Sequence, residues 1–232
     1  MSPTSFLLLV SVGIIVVLGT VLFSKKAIFT RSLSRIPFSS VPNLKTDELS
    51  KLYGKALHVK TPLRSPCTQR ECVFYQLKIE QYGSNGKQSG WSTLIEVERF
   101  QEFFLECNGD LVIVKPTTNP KNYNCFLTKD KIERISSSAN PSPEFKALLN
   151  DHDIKIKNWL GFKKTLRYQE GVIEIGEYIT VAGIAKWKSL SEPIPEYPYS
   201  KIAALESTAQ QKLLITDLRQ TFPKNSVSTR NG

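Results

Sequence analysis

The chain has 232 residues, of which 41% are hydrophobic and 22% are charged, and its formal net charge is +10. This composition excludes bulk disorder, and the length allows one medium domain with an anchor and linkers, for which a single core is expected. The basic residues are dispersed among acidic ones and no aromatic RNA-binding motif is present, so the charge favours attraction to a membrane surface over nucleic-acid binding. A merely solvated basic surface is the remaining alternative.

An uncharged apolar run extends from Phe6 to Phe23. At about 1.5 Å per residue, a helix of this length barely spans the hydrocarbon core of a bilayer. A cleaved signal peptide is the main alternative, but residues 1–5 carry no positive charge and no small-residue cleavage pattern follows the run. A buried helix of a soluble core is the weaker interpretation, because such helices rarely lack a polar face. We therefore predict a transmembrane anchor over residues 1–24.

Positive charges follow this predicted span, and none precedes it. They are Lys25, Lys26, Arg31 and Arg35. The positive-inside rule then predicts a single-pass membrane protein with its N-terminus outside and its main domain on the cytoplasmic side. In an organelle, the same face would be cytosolic or stromal.

The segment after the anchor, residues 25–45, is predicted to be a basic juxtamembrane linker. It is rich in Ser, Lys and Arg, and Pro37 and Pro42 discourage regular structure. Next, Thr46 is expected to cap a short helix that ends at Gly54.

The sequence then changes to strand patterns that form hairpins. The alternating run Cys72–Gln81 and the apolar run Trp91–Val97 predict one hairpin. Asn108-Gly109 predicts the tight turn of a second hairpin, between residues 103–106 and 111–114.

Further elements complete a mainly β domain over residues 46–220, followed by a flexible tail over residues 221–232. They are a weak strand at Ile132–Ile135, a short helix from Ser142 through Leu149, strands at Thr165–Ile175 and Tyr178–Trp187 joined across Gly176-Glu177, and a last strand at Leu213–Thr216. Many short strands with few helices predict an antiparallel, OB-like or half-closed barrel with a few short helices, preceded by one transmembrane helix.

The four cysteines are expected to be reduced in a cytoplasmic domain. They are Cys67, Cys72, Cys107 and Cys125. The spacing of the first two is compatible with half of a zinc site. Ordinary buried or surface thiols are favoured, since Cys72 and Cys107 lie in apolar strand runs where cysteine behaves as a small hydrophobe.

No catalytic constellation emerges from the remaining residues. His58 lies in an apolar strand-like segment and His152 in a polar loop, so structural roles are favoured for both. Glu170 and Glu174 share one face of a strand, where solvated acids are commoner than a general acid and base. The sequence therefore assigns no catalytic, cofactor-binding or metal-binding residue.

Several blocks of the chain resemble the GIDE family, also called BAM for "beside a membrane". The most specific block runs from Arg167 to Ala185 and is similar to the family's strand pair R-x-x-E-x-x-I-x-x-G-x-x-x-x-V-x-G. Earlier blocks lie at Thr61–Pro66, Cys72–Tyr75, Lys78–Glu80, Trp91, Phe103–Leu105, Gly109 and Val114–Pro116. Together they cover residues 54–187.

The resemblance implies a structural or binding role for seven positions. They are Pro66, Tyr75, Trp91, Arg167, Glu170, Gly176 and Gly183. Gly176 is interpreted as a turn residue, Gly183 as a strand glycine that permits close packing, and Ile173 and Val181 as core. Arg167 and Glu170 are expected to pair or to cap exposed backbone at the barrel rim, which favours a structural role over a ligand site.

The family's best known members are membrane ubiquitin ligases with a second span and a zinc-binding RING finger. No cysteine follows Cys125 here, and no second apolar span follows the domain. We therefore expect a membrane-anchored, non-catalytic binding or adaptor module with an unknown protein, peptide or lipid partner and no nucleic-acid partner. The alternative implied by the resemblance is a RING-type ubiquitin transferase, involved in protein ubiquitination and organelle organisation.

Overall fold

The computed structural model describes residues 23–84, 89–136, 140–157, 160–190, 197 and 199–224. Over these ranges the chain is mainly β, which confirms the predicted class. The predicted anchor lies outside the described residues except for its end, where Phe23 is exposed. No helix within the described ranges combines the length and apolarity needed to cross a bilayer.

Twelve strands and two α-helices are present in the described ranges. The strands are β1 (Leu49–His58), β2 (Leu63–Arg64), β3 (Glu71–Ser84), β4 (Ser89–Phe100), β5 (Phe103–Cys107), β6 (Asp110–Val114), β7 (Tyr123–Phe126), β8 (Lys131–Ile135), β9 (Thr165–Glu174), β10 (Tyr178–Ser189), β11 (Lys201–Glu206) and β12 (Leu213–Thr216). The helices are α1 (Lys25–Ser34) and α2 (Pro143–Asp151), and short 3₁₀ helices occupy Val41–Asn43 and Arg219–Thr221.

Five strands close into a ring in the order β1, β5, β6, β11, β10. The ring closes because β1 pairs with both β5 and β10. The β6–β11 pair is parallel, and so is the β7–β12 pair that extends the barrel beyond β10. The expectation of a purely antiparallel sheet is therefore wrong at these two pairs, since β11 reaches β6 by a long connection and not by a hairpin.

A second, smaller sheet is built around β3. β9 pairs with one edge of β3, β4 and the short β2 pair with the other edge, and β8 pairs with β9. Both predicted hairpins, β3–β4 and β5–β6, are confirmed. Asn108 and Gly109 take the positive φ angles, 54° and 93°, that the second hairpin's turn requires.

The buried apolar side chains form two main clusters instead of the single expected core. The barrel interior contains residues such as Leu52, Phe103 and Val181. In the small sheet, α2 packs Phe145 against Tyr168, with 4.7 Å between ring centroids. A sheet that extends away from the barrel has its own apolar face to bury, and α2 supplies the cover.

The predicted linker is partly helical. Ser24 caps α1, with its Oγ accepting a hydrogen bond from the Ala27 N–H at 3.2 Å. Pro37 follows the end of the helix and so does not interrupt it. Leu33 is buried against Ala182 and Leu214 on the outer surface of the barrel, and this packing stabilises a helix too short to persist alone.

The helix predicted between Thr46 and Gly54 is wrong, because this segment enters β1. Its residues pair with β10 and then β5, and these pairings outweigh the local helix signal. Gly54 permits the closest approach, since an added Cβ would lie 2.3 Å from the carbonyl oxygen of Glu106.

The strands on either side of Gly176 are confirmed, but they do not pair with each other. β9 belongs to the small sheet and β10 to the barrel. Gly176, with φ of 83°, redirects the chain between them, and its N–H donates to the carbonyl of Ala56 at 2.7 Å. The Ala56 N–H in turn donates to the Glu177 carbonyl at 2.8 Å, which joins this corner to β1.

Candidate functional site

The first half of the family-like block, from Arg167 to Glu174, lies on β9, whose alternate side chains face opposite sides of the small sheet. Tyr168 and Glu170 lie on the face that α2 covers, where Tyr168 is fully buried. Arg167 and Gln169 lie on the other face. Polar residues of β3 join them there, so this face of the sheet is charged instead of apolar.

A cleft of about 490 Å³ opens on this charged face, between the small sheet, the chain that follows β7 and the start of α1. Its polar side chains include Lys25, Gln76, Lys78, Glu80, Glu96, Thr128, Lys129, Arg167 and Gln169. We call it the polar cleft.

Glu80 is a buried acid of the polar cleft and is only 5% exposed. Its Oε2 accepts hydrogen bonds from Arg167 Nε at 2.5 Å and Gln169 Nε2 at 2.7 Å, and Lys78 Nζ lies 3.3 Å from Oε1. Burial acts to raise the pKa of Glu80, but the hydrogen bond from Arg167 and the charge of Lys78 outweigh it, so the pKa is lowered. Glu80 is therefore a fixed carboxylate that orients Arg167.

Trp91 and Arg167, two of the positions singled out by the resemblance, contact each other. The Arg167 guanidinium lies 4.1 Å from the Trp91 ring centroid, and that of Arg134 lies 5.0 Å away. Arg134 and Arg167 are directly opposite on β8 and β9, so the two like charges repel. The indole ring, together with Glu80, offsets this repulsion.

Glu170 fixes the loop between β2 and β3. Its carboxylate is fully buried and accepts hydrogen bonds from the N–H groups of Cys67 at 2.8 Å and Thr68 at 3.1 Å, and from Thr68 Oγ1 at 2.5 Å. Pro66 belongs to the same loop. Of the two roles expected for Glu170, the structure shows the capping of backbone, while Arg167 pairs with Glu80 instead.

The remaining positions serve the backbone or lie outside the polar cleft. A Cβ added to Gly183 would lie 2.6 Å from Leu213 Cδ2 and 3.0 Å from the Glu206 carbonyl oxygen, which agrees with its interpretation as a close-packing glycine. Ile173 and Val181 are fully buried, as expected. Tyr75 is half-buried on β3 and is not among the lining residues of the cleft.

The cysteine thiols are all free. Burial raises the pKa of Cys72 and Cys107 to about 12, and it also raises the pKa of Cys67 and Cys125. Metal ligation and nucleophilic attack both need the thiolate, so at neutral pH these side chains act as small hydrophobes. Among the residues that the structure describes, no group of three or more His, Cys, Asp or Glu side chains is arranged to hold a metal ion.

The polar cleft carries an excess of positive charge. Its four basic groups, on Lys25, Lys78, Lys129 and Arg167, face the carboxylates of Glu80 and Glu96, while the third lining carboxylate, Glu170, caps the loop described above. Such a surface suits a ligand with an anionic group.

Sequence reasoning missed most of this cleft. The available signal is the alternation on β3, where Gln76, Lys78 and Glu80 take every second position between the buried Leu77 and Ile79. The contribution of Lys129 has no local signal, because it comes from a separate connection between β7 and β8.

Comparison with known proteins adds no relative. A scan against protein-family models, a search of curated proteins and a search of solved structures each find no match.

Proposed function

We propose that this chain is a membrane-anchored binding module of the GIDE type, whose OB-like barrel holds the polar cleft at the cytoplasmic surface of the bilayer. The observation that carries the proposal is the position of Lys25. This residue follows the predicted span by two positions and lines the cleft together with Arg167. A span ending at Phe23 would bring the cleft beside the membrane.

The position of Lys25 matters because α1 is fixed to the barrel at several points. Lys51, only 6% exposed, donates from Nζ to the Leu33 carbonyl at 2.9 Å and lies 4.1 Å from the ring centroid of Phe38. A cation at the C-terminal end of a helix also interacts favourably with the negative end of the helix dipole. In addition, Gln220 Nε2 donates to Thr30 Oγ1 at 3.2 Å. The helix is thus a rigid connection and not a loose tether.

The barrel topology supports the OB-like interpretation. Numbered along the chain, the ring strands follow the order first, second, third, fifth, fourth, and the third and fifth are parallel. OB folds use the connection between their first and second strands to bind ligands. Here that connection contains β2, β3 and β4, and β3 contributes Gln76, Lys78 and Glu80 to the polar cleft.

The charges of the polar cleft indicate the class of ligand. A carboxylate or phosphate at the rim would find the exposed Lys129 and Lys25, while Arg167 is already oriented by Glu80 and Trp91. Preorganised cations bind an anion with little loss of side-chain entropy. The proposed module is therefore a receptor for an anionic group of a partner, and no bond-making step is assigned to it.

Photo-crosslinking of the full-length chain in its own membrane tests this function. A photoreactive lysine analogue at Lys129 is expected to capture a discrete lipid or protein adduct. The same probe at Lys212, which is exposed and directly precedes β12, serves as the matched control. Alkaline extraction is expected to leave the chain in the membrane, and deletion of residues 6–23 is expected to release it. Equal adducts from both positions, or release of the intact chain by alkali, would refute the proposal.

A further inference from the structure

A second pocket, of about 680 Å³, lies on the barrel where β10 ends and β11 begins. Aromatic side chains dominate its wall, namely Trp187, Tyr197 and Tyr199, with Pro42 beside them. Trp187 is 40% exposed and Tyr199 is 62% exposed, so ring surface is accessible to a ligand. We call it the aromatic pocket.

Two of the three rings of the aromatic pocket are held in place by hydrogen bonds to main-chain carbonyls, and the third packs against one of them. Trp187 Nε1 donates to the carbonyl of Leu44 at 3.1 Å, and the Tyr197 hydroxyl donates to the carbonyl of Lys201 at 2.9 Å. Tyr199 packs edge-on against Tyr197 with 5.3 Å between centroids. Fixed rings lose little entropy when a ligand binds.

The pocket also contains one group of each charge, on Asp110 and Lys201. Neither makes an ion pair with any other residue in the described part of the chain. Burial raises the pKa of Tyr197, and the Asp110 charge adds to this rise, so the carboxylate lies near the rings.

We propose that the aromatic pocket binds a phosphocholine group, with the trimethylammonium against the rings and Asp110 and the phosphate against Lys201. Quaternary ammonium groups bind well to aromatic faces. A zwitterion complements both charges, which have no ion-pair partner in the described part of the chain. A nucleic-acid strand would instead bring its phosphates against Asp110, and a lysine side chain would leave Lys201 without an anionic group. The proposal rests on the proposed function only for the source of the ligand, a lipid head group of the adjoining bilayer.

The place of the pocket in the fold supports a binding role. It lies at the connection between the fourth and fifth strands of the ring, β10 and β11. In OB-type barrels this connection is the other element that binds ligands. The aromatic pocket and the polar cleft thus use the two connections of the barrel that suit recognition.

Calorimetric titration of the full-length chain in a maltoside detergent tests the proposal, with two soluble probes. Phosphocholine offers both charges, and tetramethylammonium offers only the cation. Tyr199→Ala and Asp110→Asn are each expected to weaken both probes by about tenfold, from the loss of a cation–π contact or of a charge. Lys201→Gln is expected to weaken phosphocholine alone, by about fivefold, and Lys212→Gln serves as the matched control.

Several results would overturn the proposal. They are no saturable binding of either probe, equal loss of both probes in Lys201→Gln, an effect of Lys212→Gln as large as that of Lys201→Gln, and tighter binding of a trimethyl-lysine peptide or a single-stranded oligonucleotide than of phosphocholine. Unchanged thermal unfolding of each variant shows that the fold is intact. Because the probes are soluble and no bilayer is present, a negative titration leaves crosslinking from Lys129 unaffected, and the two proposals fail separately.

Discussion

The barrel and the small sheet bury their strands differently. In the barrel, strands form a closed ring around an apolar interior, and glycines such as Gly54 and Gly183 allow the closest contacts. In the small sheet, α2 covers one face while the other carries the polar cleft with Glu80 and Arg167. The same strand, β9, contributes to both the covered face and the cleft.

This difference separates stability from recognition. Closure removes unpaired strand edges, so a barrel tolerates little change in the distance between strands. An open sheet with one polar face can vary that face at low cost. We therefore expect substitutions in the barrel interior to change stability most and substitutions on the polar face of the small sheet to change it least, and the following experiments test that division in order of expected effect.

Gly54→Ala is expected to have the largest effect on stability. The added Cβ would lie 2.3 Å from the Glu106 carbonyl oxygen, a main-chain atom that moves only if β5 moves. Forcing β1 and β5 apart is expected to lower the free energy of unfolding by about 3 kcal/mol. Denaturant titration of the full-length chain in detergent measures it.

Gly90→Ala is the matched control for this substitution. Gly90 lies on β4 in the small sheet, and an added Cβ there meets nothing within 4 Å. Its unfolding free energy is expected to stay within about 0.5 kcal/mol of that of the unmodified chain. Equal losses for the two alanine variants would contradict the division between barrel and sheet.

Glu170→Ala is expected to be next in size, although it lies in the small sheet. It leaves the N–H groups of Cys67 and Thr68 without their acceptor in a buried setting. The free energy of unfolding should fall by about 2 kcal/mol. The loss should be smaller in Glu170→Gln, which keeps an acceptor oxygen. Hydrogen exchange of the loop amides should rise in the alanine variant.

Glu96→Ala is the control for Glu170→Ala. Glu96 lies in the same sheet but is exposed and accepts a bond from Gln76 Nε2 at 3.2 Å. Its removal is expected to change stability by less than about 0.5 kcal/mol. If Glu96→Ala and Glu170→Ala had the same effect, the carboxylate of Glu170 would not be holding the loop.

The sequence predicted those elements whose signals are local. The residues of the turn at Asn108-Gly109 and of the capped start of α2 at Ser142 each indicate a backbone conformation over a few positions, and both features are present. Ser142 Oγ accepts from the Phe145 N–H at 3.2 Å, as a cap-then-proline start predicts.

The predictions that failed concern elements whose conformation depends on distant partners. β1 has a helix-like local pattern, but pairing with β10 and β5 decides its conformation. β11 was not predicted. It pairs antiparallel with β10 and in parallel with β6, and the β6 partner lies far away in the chain. The polar cleft was likewise hidden, since Lys25, Glu80 and Lys129 come from three separate parts of the sequence.

The joint between the two regions is the corner at Gly176 and Glu177. A substitution there has the smallest expected effect on stability, and the effect depends on pH. Burial raises the pKa of Glu177 to about 7, and the charges of Asp217, Asp130 and Glu174 add to the rise. Between pH 4.5, the ordinary pKa of this group, and about pH 7, the folded chain holds a proton that the unfolded chain has lost. Stability contributed by this group therefore falls as pH rises through that window.

Glu177→Gln mimics the protonated form and isolates this contribution. The variant should match the unmodified chain near pH 4.5 and exceed its free energy of unfolding by about 1 kcal/mol at pH 8, a value reduced for solvent screening of a partly buried group. The amide oxygen can still accept the Glu174 N–H, which donates to Glu177 Oε2 at 2.9 Å, so the corner keeps its hydrogen bond. A variant less stable than the unmodified chain at pH 8 would mean that Arg70, which pairs with Glu174 and Asp130, also stabilises the Glu177 charge, and the joint would then belong electrostatically to the small sheet.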